Sequence, residues 1–394
     1  MRKSREGLWL KISVFIALLA GLYVAQYPMD FRVYYFGARG VFDGTRPVYG
    51  RASGLGWPMH YRYPPLFLLL FSPLAVLPVA WGAALWVLLK IVVLGTLVRA
   101  IVKAQAETAN LNIQSFAVPF LFITPYLIEE LRYGNVQFFV FALTALALLQ
   151  LRKRPALAAA SLALGISIKV WPLFFVPYMA VRRYWKAVGY TIGFICLLAM
   201  LPSLYFGFGG NLILLGQWVS QETQTQLSDV EIWFPSQSLR GVLMRYLSVI
   251  DYSQVPDSNY PKVNVFALDP SIVRALWLVI ATAAYAFFLL LVNRRRSVSE
   301  PLETGLGFCL IALLEPFTQK YALSILLWPV IVAAELGSKA PYRTALYLAT
   351  ILVLIQPVTP GADAQRFLQV LGLDFAAAAL LTVLIAAACL NSEF

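Results

Sequence analysis

Residues 25–40, AQYPMDFRVYYFGARG, set a carboxylate, Asp30, directly after the first apolar run, and the segment that follows is dense in arginines and aromatic rings. Arg32, Arg39, Arg46, Arg51 and Arg62 share it with Asp43, and Tyr34 and Tyr63 stand among its aromatics. A group transfer onto a hydroxyl needs a carboxylate that takes the hydroxyl proton as it attacks, and a cationic site for a departing phosphate. Aromatic faces suit sugar rings, and an interfacial Lys or Arg suits a phosphate carried on a buried lipid tail. Asp30 also fits two plainer roles, a helix cap or the ion-pair partner of a neighbouring arginine.

Other chemistries find little support. Cys196, Cys309 and Cys389 lie far apart inside apolar runs and read as small hydrophobes. The one histidine is His60, and no His, Cys and carboxylate cluster has ligand spacing, so neither a metal nor another cofactor is expected. The net charge of +12 would suggest nucleic acid in a soluble chain.

The elements that must position these residues are set by composition. The chain has 394 residues, 60% hydrophobic and 13% charged, with repeated apolar runs near the length of a membrane span. The runs are continuous rather than alternating, which predicts helices and not a barrel. We expect an all-α polytopic membrane protein, a single integral domain over 1–394 with about 12 transmembrane helices. The basic MRKSRE flank places the N-terminus in the cytoplasm, with the first run retained as a span.

The expected spans are 8–27, 80–98, 113–128, 135–151, two short arms within 155–181, then 187–206, 271–292, 303–314, 321–336, 344–358 and 370–390. A first outer loop at 28–78 holds a short interfacial helix in its proline-rich 63–78 part, and a large outer region at 207–270 holds helices near 211–222 and 236–249. Lys169, followed by Pro172, falls at the outer tip between the two arms; the alternative is one ordinary span with a snorkelling lysine and a reversed topology afterwards. Both termini are then cytoplasmic, with 17 of the 31 Lys and Arg on that side and 12 outside. Orientation accounts for the basic balance, and nucleic acid is not needed as a partner. Ionisable residues held near the bilayer collect on the outer side, which marks that side as the working face.

Five stretches in this order resemble the family-87 glycosyltransferases, multispan enzymes of the C superfamily similar to polyprenol-phosphate-mannose-dependent α-mannosyltransferases. They are DFRVYYFGARGVFDGTRPVY at 30–49, YRYPPLFLLLFSPLAVLP at 61–78, YGNVQFFVFALTALAL at 133–148, AAASLALGISIKVWPLFFVPYMAVRRYWKA at 157–187 and SQSLRGVLMRYL at 236–247. The resemblance implies a C-superfamily fold in the inner (plasma) membrane with its active site outside. It implies an inverting transfer of a sugar, mannose first, from a polyprenyl-phosphate donor to a glycolipid or glycan acceptor.

Residue by residue, the resemblance makes Asp30 the general base and gives Asp43 a turn role. Arg62, Lys169, Arg240 and Lys320 become contacts of the donor phosphate, Lys320 standing in EPFTQK where family members carry a histidine. Tyr34, Tyr63, Glu129, Asn135, Gln137, Gln237 and Ser238 become substrate contacts; in EELR either Glu129 or Glu130 could orient an acceptor or bind a cation, a solvated turn being the alternative. For the SQSLRG stretch the alternative is a helix N-terminus capped by Ser236. FGFGG at 206–210 lacks the Lys and Ser or Thr of a phosphate loop and reads as a flexible exit from a span. The rival function is a lipid or sugar transporter or flippase, which would show paired repeats with broken helices in two halves; none is visible in the sequence.

Overall fold

The computed structural model describes residues 15–16, 18–26, 30–44, 47–50, 61–106, 117–227, 236–250, 260–294, 298–336 and 340–391. The MRKSRE flank, Arg46, Arg51, His60, Arg295, Arg296 and Lys339 lie outside them. Among the described residues every regular element is helical. In chain order these are α1 (18–26), α2 (Asp30–Phe42), α3 (Pro65–Ala75), α4 (Val79–Ala106), α5 (Ala117–Tyr133), α6 (Gln137–Gln150), α7 (Pro155–Ile166), α8 (Phe175–Val181) and α9 (Trp185–Met200). There follow α10 (Ser203–Leu227), α11 (Leu239–Leu247), α12 (Pro270–Arg294), α13 (Glu300–Leu314), α14 (Leu327–Leu336), α15 (Ala340–Val358), α16 (Ala362–Leu371) and α17 (Leu373–Leu390).

Among the described residues three helices are long and apolar enough to cross a membrane: α4 over Val79–Ala104, α12 over Pro270–Arg294 and α17 over Leu373–Leu390. They fall on three of the expected spans, and an all-helical membrane protein results. A fourth candidate is the pair Trp185–Met200 and Ser203–Gln224, bent by 94°. The expected span at 187–206 therefore ends early, at Met200, where Pro202 interrupts the helix. The FGFGG exit is where the next helix kinks, at Gly207 with φ 71° and ψ 162°. That backbone conformation is one only glycine adopts without strain.

Of the remaining expected spans, 344–358 lies within the 19-residue α15, 8–27 lies partly outside the described residues, and the others appear as shorter or broken helices. The proline-rich segment after the first loop forms α3, 11 residues with Pro65 in its first turn and Pro73 inside. Lys169 sits between two short apolar helices, Pro155–Ile166 and Trp171–Val181, the pattern expected for that stretch.

The chain divides into two compact units. The first comprises Met1–Ala100, Ile128–Pro172 and Lys186–Thr225. Its core is aromatic: Phe31, Tyr34 and Tyr35 of α2 pack with Phe67 and Phe71 of α3 and Trp86 of α4. Edge-on ring contacts run from Tyr34 to Phe67 at 5.1 Å and from Phe71 to Trp86 at 5.2 Å. Helices α6 and α7 pack together through buried alanines, Ala145, Ala158, Ala159 and Ala163, small residues that allow close approach.

The second unit comprises Ile101–Leu127, Leu173–Trp185 and Gln226–Phe394. Its central helix is α13, apolar and buried on all sides from Leu302 to Leu313, as expected for a helix without a polar stripe. The exceptions are Thr304, whose hydroxyl donates to the Glu300 carbonyl at 2.7 Å, and Glu303, fully enclosed, which pairs with Arg182 and accepts from Tyr178 Oη at 3.3 Å. Removing one partner of so buried a pair strands the other's charge. Arg182→Met is expected to destabilise the protein by about 3–5 kcal/mol, and adding Glu303→Gln should recover most of that loss. Unfolding of the purified variants in detergent measures both.

Candidate functional site

Asp30 begins α2, where the helix dipole favours a negative charge. Its Oδ2 accepts from Asn135 Nδ2 at 2.5 Å, the one hydrogen bond its carboxylate makes among the described residues. None of the described arginines nearby ion-pairs with it. Arg32 donates to the Gln26 carbonyl at 2.9 Å, Arg39 lies 3.7 Å from Asp43, and Arg62 donates through Nε and Nη2 to the two oxygens of Glu222, each at 3.1 Å. The arginine-partner role open from sequence is therefore filled elsewhere. Asp43 stands in the turn that ends α2, as expected.

Asn135 lies in the turn between α5 and α6. Its Oδ1 accepts the Gln137 amide at 2.8 Å and Lys169 Nζ at 3.3 Å. The same ammonium donates to Gln137 Oε1 at 2.9 Å, an oxygen that also accepts from Trp171 Nε1 at 3.2 Å. Gln137 is 1% exposed and its Nε2 has no partner among the described residues, which leaves a donor available in the cluster. The turn is possible because residue 134 is glycine. Its φ is 64°, and a Cβ there would stand 2.8 Å from Phe31 Cβ. One α2 residue thus packs on the turn while the preceding one receives its amide.

Tyr63 completes the wall. Its ring lies 5.8 Å from Lys169 Nζ, and its hydroxyl is 2.7 Å from that of Tyr34. Tyr34 itself is enclosed in the aromatic core, and its oxygen also accepts the Val136 amide at 3.4 Å. Segment 61–63 is clamped to α10: Trp218 Nε1 donates to the Arg62 carbonyl at 3.2 Å and Gln221 Nε2 to the Tyr61 carbonyl at 2.8 Å. Burial pushes the Tyr63 phenol well above its ordinary range, and the charge of Asp30 adds to that effect. The phenol therefore stays protonated.

Burial also raises the Asp30 carboxyl above its ordinary 3.8, opposed by the Asn135 hydrogen bond and by the positive charges of Lys169, Lys90 and Arg62. A carboxylate that is partly desolvated, anchored at one oxygen and faced by an ammonium can take a proton from a hydroxyl.

The structure thus brings Asp30, Tyr34, Tyr63, Asn135, Gln137 and Lys169 together, with Arg62 next to Tyr63. Glu129 stays apart, paired with Arg132 at 3.3 Å on an exposed face. Its neighbour Glu130 turns inward to meet Lys90. Trp171, Lys90 and Glu222 are the members that the sequence did not single out, and of the EELR pair it is Glu130, not Glu129, that joins them. For Glu130 a signal existed: Phe122, Tyr126 and Glu130 recur every four residues on the buried face of α5.

The other candidates belong to the second unit. Ser238, not Ser236, caps α11, accepting from the Gly241 amide at 3.1 Å, three residues on as an N-cap requires. Gln237 is fully buried, its amide donating to the Thr318 carbonyl at 2.6 Å and its Nε2 to the Gln369 carbonyl at 3.0 Å. Ser238 Oγ also reaches the Pro316 carbonyl at 3.2 Å. Arg240 lies over the Trp277 ring at 5.7 Å. Lys320 Nζ donates to Gln356 at 2.8 Å and stands 3.7 Å from Asp374, which accepts from Tyr126. Among the described residues no group of three His, Cys, Asp or Glu side chains could hold a metal ion.

Comparison with known proteins bears on what this arrangement serves. A stretch of 210 residues is 27% identical to the polyprenol-phosphate-mannose-dependent alpha-(1-2)-phosphatidylinositol mannoside mannosyltransferase of Mycobacterium tuberculosis. The match covers 47% of this chain and 48% of that protein, so the chain spans about half the length of this curated relative. No solved structure matches the chain. Residues 61–316 match the profile of glycosyltransferase family 87, a segment that holds Arg62, Tyr63, Asn135, Gln137, Lys169 and Arg240, while Asp30 precedes it. With more than half of its length matched, the chain belongs to glycosyltransferase family 87.

Proposed function

We propose that the protein is an inverting glycosyltransferase that moves mannose from a polyprenyl-phosphate donor to a lipid or glycan acceptor, with Asp30 as general base. The observation that carries this reading is the carboxylate of Asp30 held by an amide, Asn135, whose own oxygen accepts from Lys169. The donor class follows the printed name of the mycobacterial relative and the family match.

In the proposed step the acceptor oxygen attacks the anomeric carbon and its proton passes to Asp30. The bond between that carbon and the phosphate oxygen breaks on the opposite face, and polyprenyl monophosphate leaves. Lys169 offsets the charge that grows on the leaving phosphate, Arg62 adds positive charge from the segment before α3, and the Gln137 amide and Tyr63 hydroxyl donate to substrate oxygens. Arg240 and Lys320 keep the phosphate-contact role that their motifs imply, which their own substitutions test separately. The setting proposed is about twelve spans of a C-superfamily fold in the plasma membrane, the site outside and both termini cytoplasmic. The apolar helices α4, α12 and α17 support the membrane location in it.

Donor specificity tests this reading. Purified protein should release polyprenyl monophosphate from polyprenyl-phosphate mannose and leave nucleotide-linked mannose untouched; use of the nucleotide sugar instead would sink the donor assignment. The acid side of the pH profile is a second expectation. Asp30 must be ionised to accept a proton, so kcat/KM falls as pH drops through its pKa. Because burial raises that pKa, the acid limb should lie above 3.8, the ordinary carboxyl value.

A further inference from the structure

Three contacts converge on the turn that carries Asn135. Trp86 and Lys90, about one helical turn apart on α4, both reach it. Trp86 Nε1 donates to the Gly134 carbonyl at 2.9 Å, and Lys90 Nζ donates to the Glu130 carbonyl at 3.2 Å and pairs with the Glu130 carboxylate. The other carboxylate oxygen, Oε1, accepts the Phe138 amide at 2.8 Å. Glu130 therefore ties the last turn of α5 to the first turn of α6, across the segment whose Asn135 holds Asp30.

Lys90 is 2% and Glu130 1% exposed. Enclosing two charges costs about as much as their attraction returns, and an apolar pair of similar volume is often as stable or more so. Stability alone is thus a poor reason for the pair, whereas geometry is a good one. An amide at 2.5 Å from a base is only as well aimed as the turn that carries it. That turn has a glycine at positive φ and would be soft without an external grip.

We infer that Lys90 and Glu130 are positioning residues for Asp30: the pair fixes the 130–138 turn and, through it, the Asn135 amide that aims the carboxylate. This rests on the reading of Asp30 as the base. The charged and titratable groups that act on Asp30 are Lys169, Lys90, Arg62, Tyr63 and Tyr133; of the pair it is Lys90 whose charge favours the ionised carboxylate.

The test is the double variant Lys90→Met with Glu130→Gln, reconstituted in lipid, in which the introduced side-chain amide oxygen still accepts the Phe138 N–H. The expected result is an unfolding midpoint near that of the wild type, a plateau turnover lower by about tenfold or more, and an acid limb of kcat/KM moved to higher pH. A folded double variant with wild-type plateau and limb would overturn the inference and leave Asp30 standing as the base. Should the double variant fail to fold, Glu130→Asp decides. It keeps the charge but is one methylene too short to hold Lys90 and the Phe138 amide together, with turnover expected to fall about fivefold, the worth of one hydrogen bond; wild-type turnover there overturns the inference. Wild-type turnover by Asp30→Asn would instead remove the base assignment itself, whatever the pair does.

Discussion

Asp30→Asn is expected to lose turnover by about two to four orders of magnitude while keeping expression, fold and donor binding. The substituted amide is nearly isosteric, and its oxygen can still accept from Asn135 Nδ2, now at 2.5 Å from the carboxylate. What it cannot do is take a proton from an attacking hydroxyl. Stability should not suffer. Because burial raises the folded-state pKa of Asp30 above its unfolded value, the ionised carboxylate opposes folding as pH rises through that window, and a neutral amide removes this cost. The variant's unfolding midpoint at neutral pH should therefore equal or exceed that of the wild type. Steady-state kinetics beside a thermal melt reads both, and a variant that is inactive because it is misfolded would be recognised by the melt.

Lys169→Met is expected to lower kcat/KM by about 10²–10³ and to weaken binding of a polyprenyl-phosphate analogue. Methionine keeps much of the length and removes the ammonium. Lys169 Nζ bridges Asn135 Oδ1 at 3.3 Å and Gln137 Oε1 at 2.9 Å, so its loss removes one donor from each amide oxygen and the cation facing Asp30. The acid limb of the pH profile should shift upward, since that positive charge favours the ionised carboxylate. Lys169→Arg should restore part of the binding and little of the rate, because a planar fork cannot occupy the place of a point charge between two amide oxygens. Unchanged analogue binding in Lys169→Met would remove Lys169 from the donor site.

Much of this site could be read from the sequence, for local reasons. Asp30 stands at the end of an apolar run, and Lys169 lies between two apolar stretches too short to span. The prolines at 64, 65 and 73 enforce the short α3. Asn135 and Gln137 came from a motif whose turn geometry is set by Gly134. What the sequence did not disclose is pairing over distance. Glu222 is 160 residues from Arg62 and Glu130 is 40 from Lys90, and no local pattern announces either contact. Between Glu129 and Glu130 the choice was one of helix phase, since adjacent residues point about 100° apart. The inward one continues the four-residue step of Phe122 and Tyr126. The Ser236 cap was wrong by two residues because SQS offers two equivalent hydroxyls, and only the position of the Gly241 amide separates them.

Span boundaries were legible where a run was uninterrupted, as in α4, α12 and α17. They were misplaced where Pro202 and Gly207 break the chain, because hydropathy averages across such breaks and the backbone does not.

The central claim is tested most directly by incubating the purified protein, and Asp30→Asn at equal donor occupancy, with radiolabelled polyprenyl-phosphate mannose and a membrane lipid extract. The predicted result is a new labelled glycolipid of inverted anomeric configuration from the wild type, one polyprenyl monophosphate released per sugar moved, and almost none from Asp30→Asn. Label that crosses the bilayer without a new glycosidic bond, or equal product from the two proteins, would contradict it.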